Sequence, residues 1–236
     1  MENGLLVVAA HVGDFVWRAG GAVALHAERG MPVSIVCLSY GENGESNAAW
    51  TGAGATHDAV KTARREEAER AAAVLGAARV SFLDAGDYPM HVTAQLVDAI
   101  ADEMRRVRPA LVLTHPERDP SNLDHCKTFS MVLEARMKAI APGHGADFIA
   151  PPQVMSFEPH QPELCDFKPT LLLDISPVWE KKRAAIECMV TQKNLWAYYT
   201  RVAQQRGAQA GRRASTAITH AEAYFPIFPQ TRSSLI

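Results

Sequence analysis

Four short apolar runs in the first 115 residues are separated by longer stretches, most with helical periodicity. This alternation constrains the fold more than any other feature of the chain. Residues 5–10, 32–38, 79–83 and 110–114 have strand length. Between them, residues 15–29 carry Val16, Gly20, Val23, Ala24 and Ala27 at helical spacing, with Gly30 as C-cap. Residues 59–75 form a charged helix ended by Gly76, and residues 92–107 form a third. Such alternation predicts an α/β fold, a mostly parallel sheet with helices on both faces. Ligands of such sheets bind beyond the carboxyl ends of the strands. The polar residues there are His11 and Asp14, residues 39–45, residues 84–88 and residues 115–125.

Residues 41–54, rich in Gly, Asn and Ser, read as loop. Further on, a helix to about Ala139 is followed by Pro/Gly-rich loops, strands at 153–157 and 170–175, and one helix over 178–206. No internal repeat is present. A single domain over 1–236 is expected, with residues from about 190 as a C-terminal arm. The apolar and aromatic residues 223–229 are seldom left in water. They are expected to pack on the chain's own sheet or on a second copy, making a homo-oligomer.

Composition removes several function classes. With 24 basic and 26 acidic residues, net charge −2, the chain lacks the basic face that nucleic acid requires. No apolar run approaches the roughly 20 residues that span a bilayer, so no membrane partner is expected. The N-terminus has no basic n-region before its apolar run. Cys37, Cys126, Cys165 and Cys188 are scattered without a CxxC pair, as in a reduced, cytoplasmic protein.

His11-Val12-Gly13-Asp14 brings an imidazole and a carboxylate together at a strand end. That pair is an ordinary first-row metal set, completed by a third ligand with a position left open. The same spacing also arises when a His ends a strand and an Asp caps the next helix. The segment 114–125 adds two His, two Asp, a Glu, an Arg and an Asn behind the fourth strand. There His125 stands where a following helix would begin, and a His/Asp/His site built from strands one and four is sterically reasonable.

AAHVGD, GENG, the Arg-Arg-Glu-Glu helix ending at Leu75-Gly76, and Asp124-His125 together resemble the LmbE-like (PIG-L) family. Ala221-Glu222-Ala223-Tyr224 looks like its C-terminal signature, so the resemblance runs from Leu5 to about Glu222. The family consists mostly of zinc-dependent deacetylases of N-acetylglucosaminyl compounds, with a Rossmann-like fold. The resemblance implies one zinc ion per subunit, held by His11, Asp14 and His125.

Two departures bear on activity. The family's opening motif reads AHPDD, its first Asp serving as general base; Gly13 stands there in this chain and can take no proton. The second motif usually reads HPDH, and Asn122 replaces its first imidazole. The GENGE and AAHVGDFVWRAGG segments are similar to those of family members that hydrate an unsaturated keto-acid in gallate-type aromatic catabolism. That implies a zinc-dependent hydro-lyase acting on a small di- or tricarboxylate. Glu45 or Glu42 would activate water, and His160 would protonate carbon. Arg18, Arg64, Arg118 and Asn122 would meet the carboxylates, although each Arg reads equally well as surface. Tyr88, Trp17 and Trp50 would wall the pocket, and Gly13 would leave room beside the ion for a bidentate keto-acid. Two further readings stand beside this: a deacetylase with a relocated base such as Asp124, and an inactive metal-binding ligand sensor.

Overall fold

The computed structural model describes residues 4–230; the first three and last six residues of the expected domain lie outside the described residues. The elements in order are β1 (Gly4–Ala9), α1 (Asp14–Glu28), β2 (Val33–Cys37), α2 (Asn47–Trp50), α3 (His57–Leu75), β3 (Arg79–Phe82), α4 (Ala94–Val107) and β4 (Pro109–Thr114). There follow α5 (Leu123–Ile140), β5 (Gln153–Phe157), β6 (Leu171–Asp174), α6 (Trp179–Cys188), α7 (Trp196–Gly211) and β7 (Ala221–Pro226). The seven strands make one sheet, ordered β3-β2-β1-β4-β5-β7-β6. Neighbours from β3 to β5 are parallel, and β7 is antiparallel to both β5 and β6. This is the α/β architecture expected.

The unbroken apolar run of β1 follows from burial on both faces. Leu5, Val7 and Ala9 pack toward α1, α3 and α6, whereas Leu6, Val8 and Ala10 join Ile100, Met104 and Val132 of α4 and α5. From β1 the chain winds outward through β2 and β3, then returns to β1's other side as β4. The sheet's strand order therefore reverses between β1 and β4, which opens a crevice at their carboxyl ends.

Two stretches differ from the sequence reading. The helix expected over 178–206 is interrupted: α6 stops at Cys188, a 3-10 turn occupies Val190–Leu195, and α7 follows. Glu67 of α3 accepts hydrogen bonds from the backbone N–H and hydroxyl of Thr191, each at 2.8 Å. These anchors pull the chain off the helical path, and periodicity cannot register a partner 124 residues away. The stretch expected as a C-terminal arm supplies α7 and β7, and β7 lies inside the sheet, with Tyr224 buried opposite Phe157 and Leu171. No helix among the described residues is long and apolar enough to cross a membrane.

β7 also reaches back into α1. Glu222 accepts from the backbone N–H groups of Gly21 (2.7 Å) and Ala22 (2.9 Å), in mid-helix. The Trp17 carbonyl, which Gly21 would ordinarily serve, accepts from Lys182 Nζ at 3.1 Å, and Lys182 pairs with Glu222 at 2.6 Å. Gly21 permits this close approach, since a Cβ there would stand 2.4 Å from Ile175 Cγ2. Both charges are buried, and removing one strands the other, at a cost of about 3–5 kcal/mol. Glu222→Leu should therefore lower unfolding free energy by about that amount. A urea titration showing less than about 1 kcal/mol of loss would contradict the role assigned to this clasp.

Candidate active site

His11 leaves the end of β1, and the tight turn through Gly13 makes Asp14 the first residue of α1. The backbone N–H of His11 donates to Asp14 Oδ2 at 2.9 Å, fixing one residue against the other. The carbonyl end of β4 leads to α5, which begins at Leu123, earlier than the sequence reading placed it. Asn122 Oδ1 accepts from the Asp124 N–H as N-cap, so His125 falls in the first turn, over the crevice. One ligand atom from each of His11, Asp14 and His125 lies within 4.8 Å of the others, and all three residues are buried.

The donor set suits a cation. Both ring nitrogens of His11 and Nε2 of His125 are buried without hydrogen-bond partners, an arrangement costing about 1–3 kcal/mol per group unless something fills it. His125 Nδ1 donates to Asp119 Oδ2 at 2.8 Å, which leaves the Nε2 lone pair facing Asp14 Oδ1 at 3.7 Å. An imidazole oriented by a carboxylate behind it is the usual support of a metal ligand. His115, which the sequence placed only at a strand end, backs this group. Its Nε2 accepts the Ala10 N–H at 3.0 Å, and its ring stacks on His125 with centroids 4.0 Å apart. Burial lowers the His115 pKa, keeping it neutral. These residues could bind a metal ion.

Without a cation the two imidazole ligands titrate in opposite directions. Burial works against a charged His11, but Asp124, Asp14 and Glu45 outweigh it and raise its pKa to about 10. Burial, reinforced by His115, lowers His125 to about 3. At neutral pH His11 thus carries a proton that an incoming cation must displace. Metal added to the metal-free protein near pH 7.5 should release close to one proton per ion, and apparent affinity should rise by about tenfold per pH unit below the His11 pKa. Uptake in weak buffer without acidification would refute this.

A cavity of about 560 Å³ opens above the group, and Asp14, Arg18, Glu45, Asn122, His125 and His160 all line it. Glu45 is held by three donors: Tyr88 Oη (3.1 Å) and Asn122 Nδ2 (3.2 Å) at Oε1, and Gln192 Nε2 (3.0 Å) at Oε2. Its Oε1 stands 3.8 Å from His11 Nδ1. Arg18 donates to Asp14 Oδ1 at 3.2 Å and to the Glu158 carbonyl. His160, across the cavity, has Nδ1 3.2 Å from the Tyr199 hydroxyl, and burial lowers its pKa. Trp17 and Tyr88 line the wall as expected, and Gln192 and Tyr199, which the sequence did not single out, join them.

Other candidates lie elsewhere. Glu42 is buried away from the cavity, 3.6 Å from Lys61 and beside Asp87, and Trp50 donates to its carbonyl. Arg64 is wholly buried, tying the Tyr40 carbonyl to Glu67 and Thr191. Arg118 is exposed and paired with Asp166, on a different face. Asp124 stands beside the group, with Oδ2 3.8 Å from His11 Nε2, but it accepts from the backbone N–H groups of Tyr88 (2.8 Å) and Met90 (2.9 Å) and from Lys127, and is not among the cavity-lining residues. Nor does Gly13 leave open space. A Cβ there would meet Trp17 Nε1 at 2.5 Å and Gln192 Oε1 at 2.9 Å, because these side chains fill the volume.

A doubly wound sheet with a buried His/Asp/His group at its switch point makes a candidate metal centre, and the chain belongs to the PIG-L family. The sequence model of that family, described as GlcNAc-PI de-N-acetylase, matches residues 6–136. The chain is 49% identical to the 4-oxalmesaconate hydratase of Pseudomonas putida, over 99% of this chain and 93% of that protein. It superposes on the crystal structure of GalB, the 4-carboxy-2-hydroxymuconate hydratase of Pseudomonas putida KT2440, with TM-score 0.96 at 49% identity, covering 99% of this chain and 100% of that one. The diacetylchitobiose deacetylase of Thermococcus kodakarensis is more distant, 27% identical over 91% of this chain and 81% of that protein.

Proposed function

We propose that this protein is a metal-dependent hydro-lyase that adds water to the C=C bond of 4-oxalomesaconate, giving 4-carboxy-4-hydroxy-2-oxoadipate in gallate-type aromatic catabolism. One observation carries the reading beyond the 49% identity to a hydratase. The cavity presents a carboxylate, Glu45, gripped by three donors, while the family's general-base position is Gly13, covered by Trp17 and Gln192. Amide hydrolysis needs a proton delivered to a leaving nitrogen; addition to an alkene has no leaving group.

We assign one zinc ion per subunit to His11, Asp14 and His125; when bound, it supplies a Lewis acid for the substrate's oxo and carboxylate oxygens. Glu45 takes a proton from water as the water oxygen bonds to the alkene carbon that carries both a carboxylate and the oxo-acid arm, the neighbouring CH carbon receiving the proton. His160 gives a proton to the neighbouring carbon, so both parts of the water molecule are accounted for. A tricarboxylate beside His160 favours the imidazolium this step needs. Arg18 and Asn122 face the substrate carboxylates, and the free thiols suit a reducing cytoplasm. Metal-loaded protein should consume 4-oxalomesaconate, with the hydroxy-acid appearing by NMR. Acetate release from an N-acetylglucosaminyl compound without hydration would overturn the assignment.

The protein is proposed to act as a homo-oligomer, because Phe225 and Phe228 remain 40% and 41% exposed on the β7 side. Light scattering should give a multiple of the chain mass; a monomer at micromolar concentration would end that proposal.

A further inference from the structure

Two consecutive tyrosines of α7 hold His160, and neither has a part in the steps above. The Tyr198 ring stacks on the imidazole, with centroids 4.2 Å apart and planes 28° from parallel, and its hydroxyl donates to the His160 carbonyl. One residue on, roughly 100° further round the helix, the Tyr199 hydroxyl stands 3.2 Å from His160 Nδ1. Tyr199 is buried and fixed by stacking on Trp17 of α1, with centroids 5.1 Å apart and planes 8° from parallel. Arg206, also of α7, donates from Nε to Glu158 Oε1 (3.1 Å) and Oε2 (2.9 Å), which ties the helix to the loop that carries His160.

Burial raises the Tyr199 pKa, so the hydroxyl keeps its proton at neutral pH. It donates to Nδ1 when the imidazole is neutral and accepts from Nδ1–H when the ring is charged; the second bond is charge-assisted and the stronger. Tyr199 lines both the active cavity and an adjoining one of about 170 Å³, so its hydrogen can turn to cavity water while its oxygen accepts. The Tyr198 face adds a π-system against the charged ring. We propose that Tyr199 is a positioning residue for the proton donor: its hydroxyl closes Nδ1, leaves Nε2 as the nitrogen that meets substrate, and favours the imidazolium. This rests on the hydratase reading. Among the other groups around His160, burial and Arg18 of α1 oppose its charge. Glu45 and Asp119, from the loops after β2 and β4, and Glu163 of its own loop support it. Tyr199 adds support without a negative charge that would repel a tricarboxylate.

Tyr199→Phe tests this, since it keeps the ring that stacks on Trp17 and removes only the hydroxyl. The zinc-loaded variant should retain a full equivalent of metal by elemental analysis, with KM unchanged. Its imidazolium loses an acceptor, so the alkaline limb of the kcat–pH profile moves about 0.5–1 unit toward acid. The ratio of parental to variant kcat then rises from near unity on the acid side to about 3–10-fold on the alkaline side. NMR titration of the His160 ring, assigned by the signal lost in His160→Gln, should show the same displacement without substrate. An alkaline limb that does not move overturns the proposal, whether kcat is unchanged or lowered equally at every pH. A limb that moves while the His160 titration stays also overturns it, because the shift then belongs to another group. A parent protein inert toward 4-oxalomesaconate would overturn the hydratase reading instead, and the NMR titration would still decide whether Tyr199 supports the imidazolium.

Discussion

Glu45→Gln, loaded with metal, should hydrate 4-oxalomesaconate about 10²–10⁴-fold more slowly than the parent, the usual worth of a positioned general base. The carboxamide matches the carboxylate in size, so the cavity keeps its shape and the donors Tyr88, Asn122 and Gln192 keep a neighbour. What is lost is the ability to take a proton. Metal content should hold at the parental value, because Glu45 stands beside the His/Asp/His group without belonging to it. KM should move by no more than a few-fold, as the substrate carboxylates are assigned to Arg18 and Asn122. The measurement is kcat by stopped assay at saturating substrate, with metal counted on the same sample. A loss under tenfold would remove Glu45 from the proton transfer.

His125→Ala should purify with far less than one equivalent of metal and with hydration at background. The substitution takes away Nε2, which faces Asp14 Oδ1, and leaves Asp119 Oδ2 without its imidazole donor. Replacing a group that merely orients a ligand typically costs 10–100-fold in metal affinity. Asp119→Ala belongs in that range, and His125→Ala should exceed it clearly. The graded pair is informative because both residues sit on the same loop and helix start, so general damage would affect them alike. Full metal retention in His125→Ala would dissolve the proposed centre.

The legible parts of this site were the ones set by short-range geometry. His11, Asp14 and His125 sit where two adjacent parallel strands end, and strand ends are marked by an abrupt change from apolar to polar residues. The choice between Glu42 and Glu45 was not legible, since two carboxylates three residues apart on an irregular loop point wherever the turn sends them. Here one faces Lys61 and the other the cavity. Arg64 sits in a highly charged helical stretch, where it reads as a carboxylate partner or as surface, and not as a buried tie. Glu67 one turn away neutralises it, and its remaining contacts are 24 and 127 residues distant. Gln192 was invisible for a related reason. It stands in a break between helices that Glu67 imposes from afar, and it meets Glu45 across 147 residues. Periodicity reports which face of an element is buried; it carries no information about polar partners distant in the chain.

The clasp between Glu222 and the middle of α1 has a bearing on how the protein comes into being. Asp14 and Arg18 occupy the half of α1 that precedes the clasp, and their anchor arrives 201 residues later. At translation speeds of 5–20 residues per second, the nascent chain spends roughly ten to forty seconds with α1 made and β7 still unmade. During that interval Gly21 and Ala22 lack their acceptor, Lys182 lacks its counter-ion once made, and the sheet edge at β5 lacks its antiparallel neighbour. Maturation is thereby ordered in time. His11 and Asp14, near the start of the chain, therefore gain the support of the Glu222 clasp on α1 only as the end of the chain is delivered.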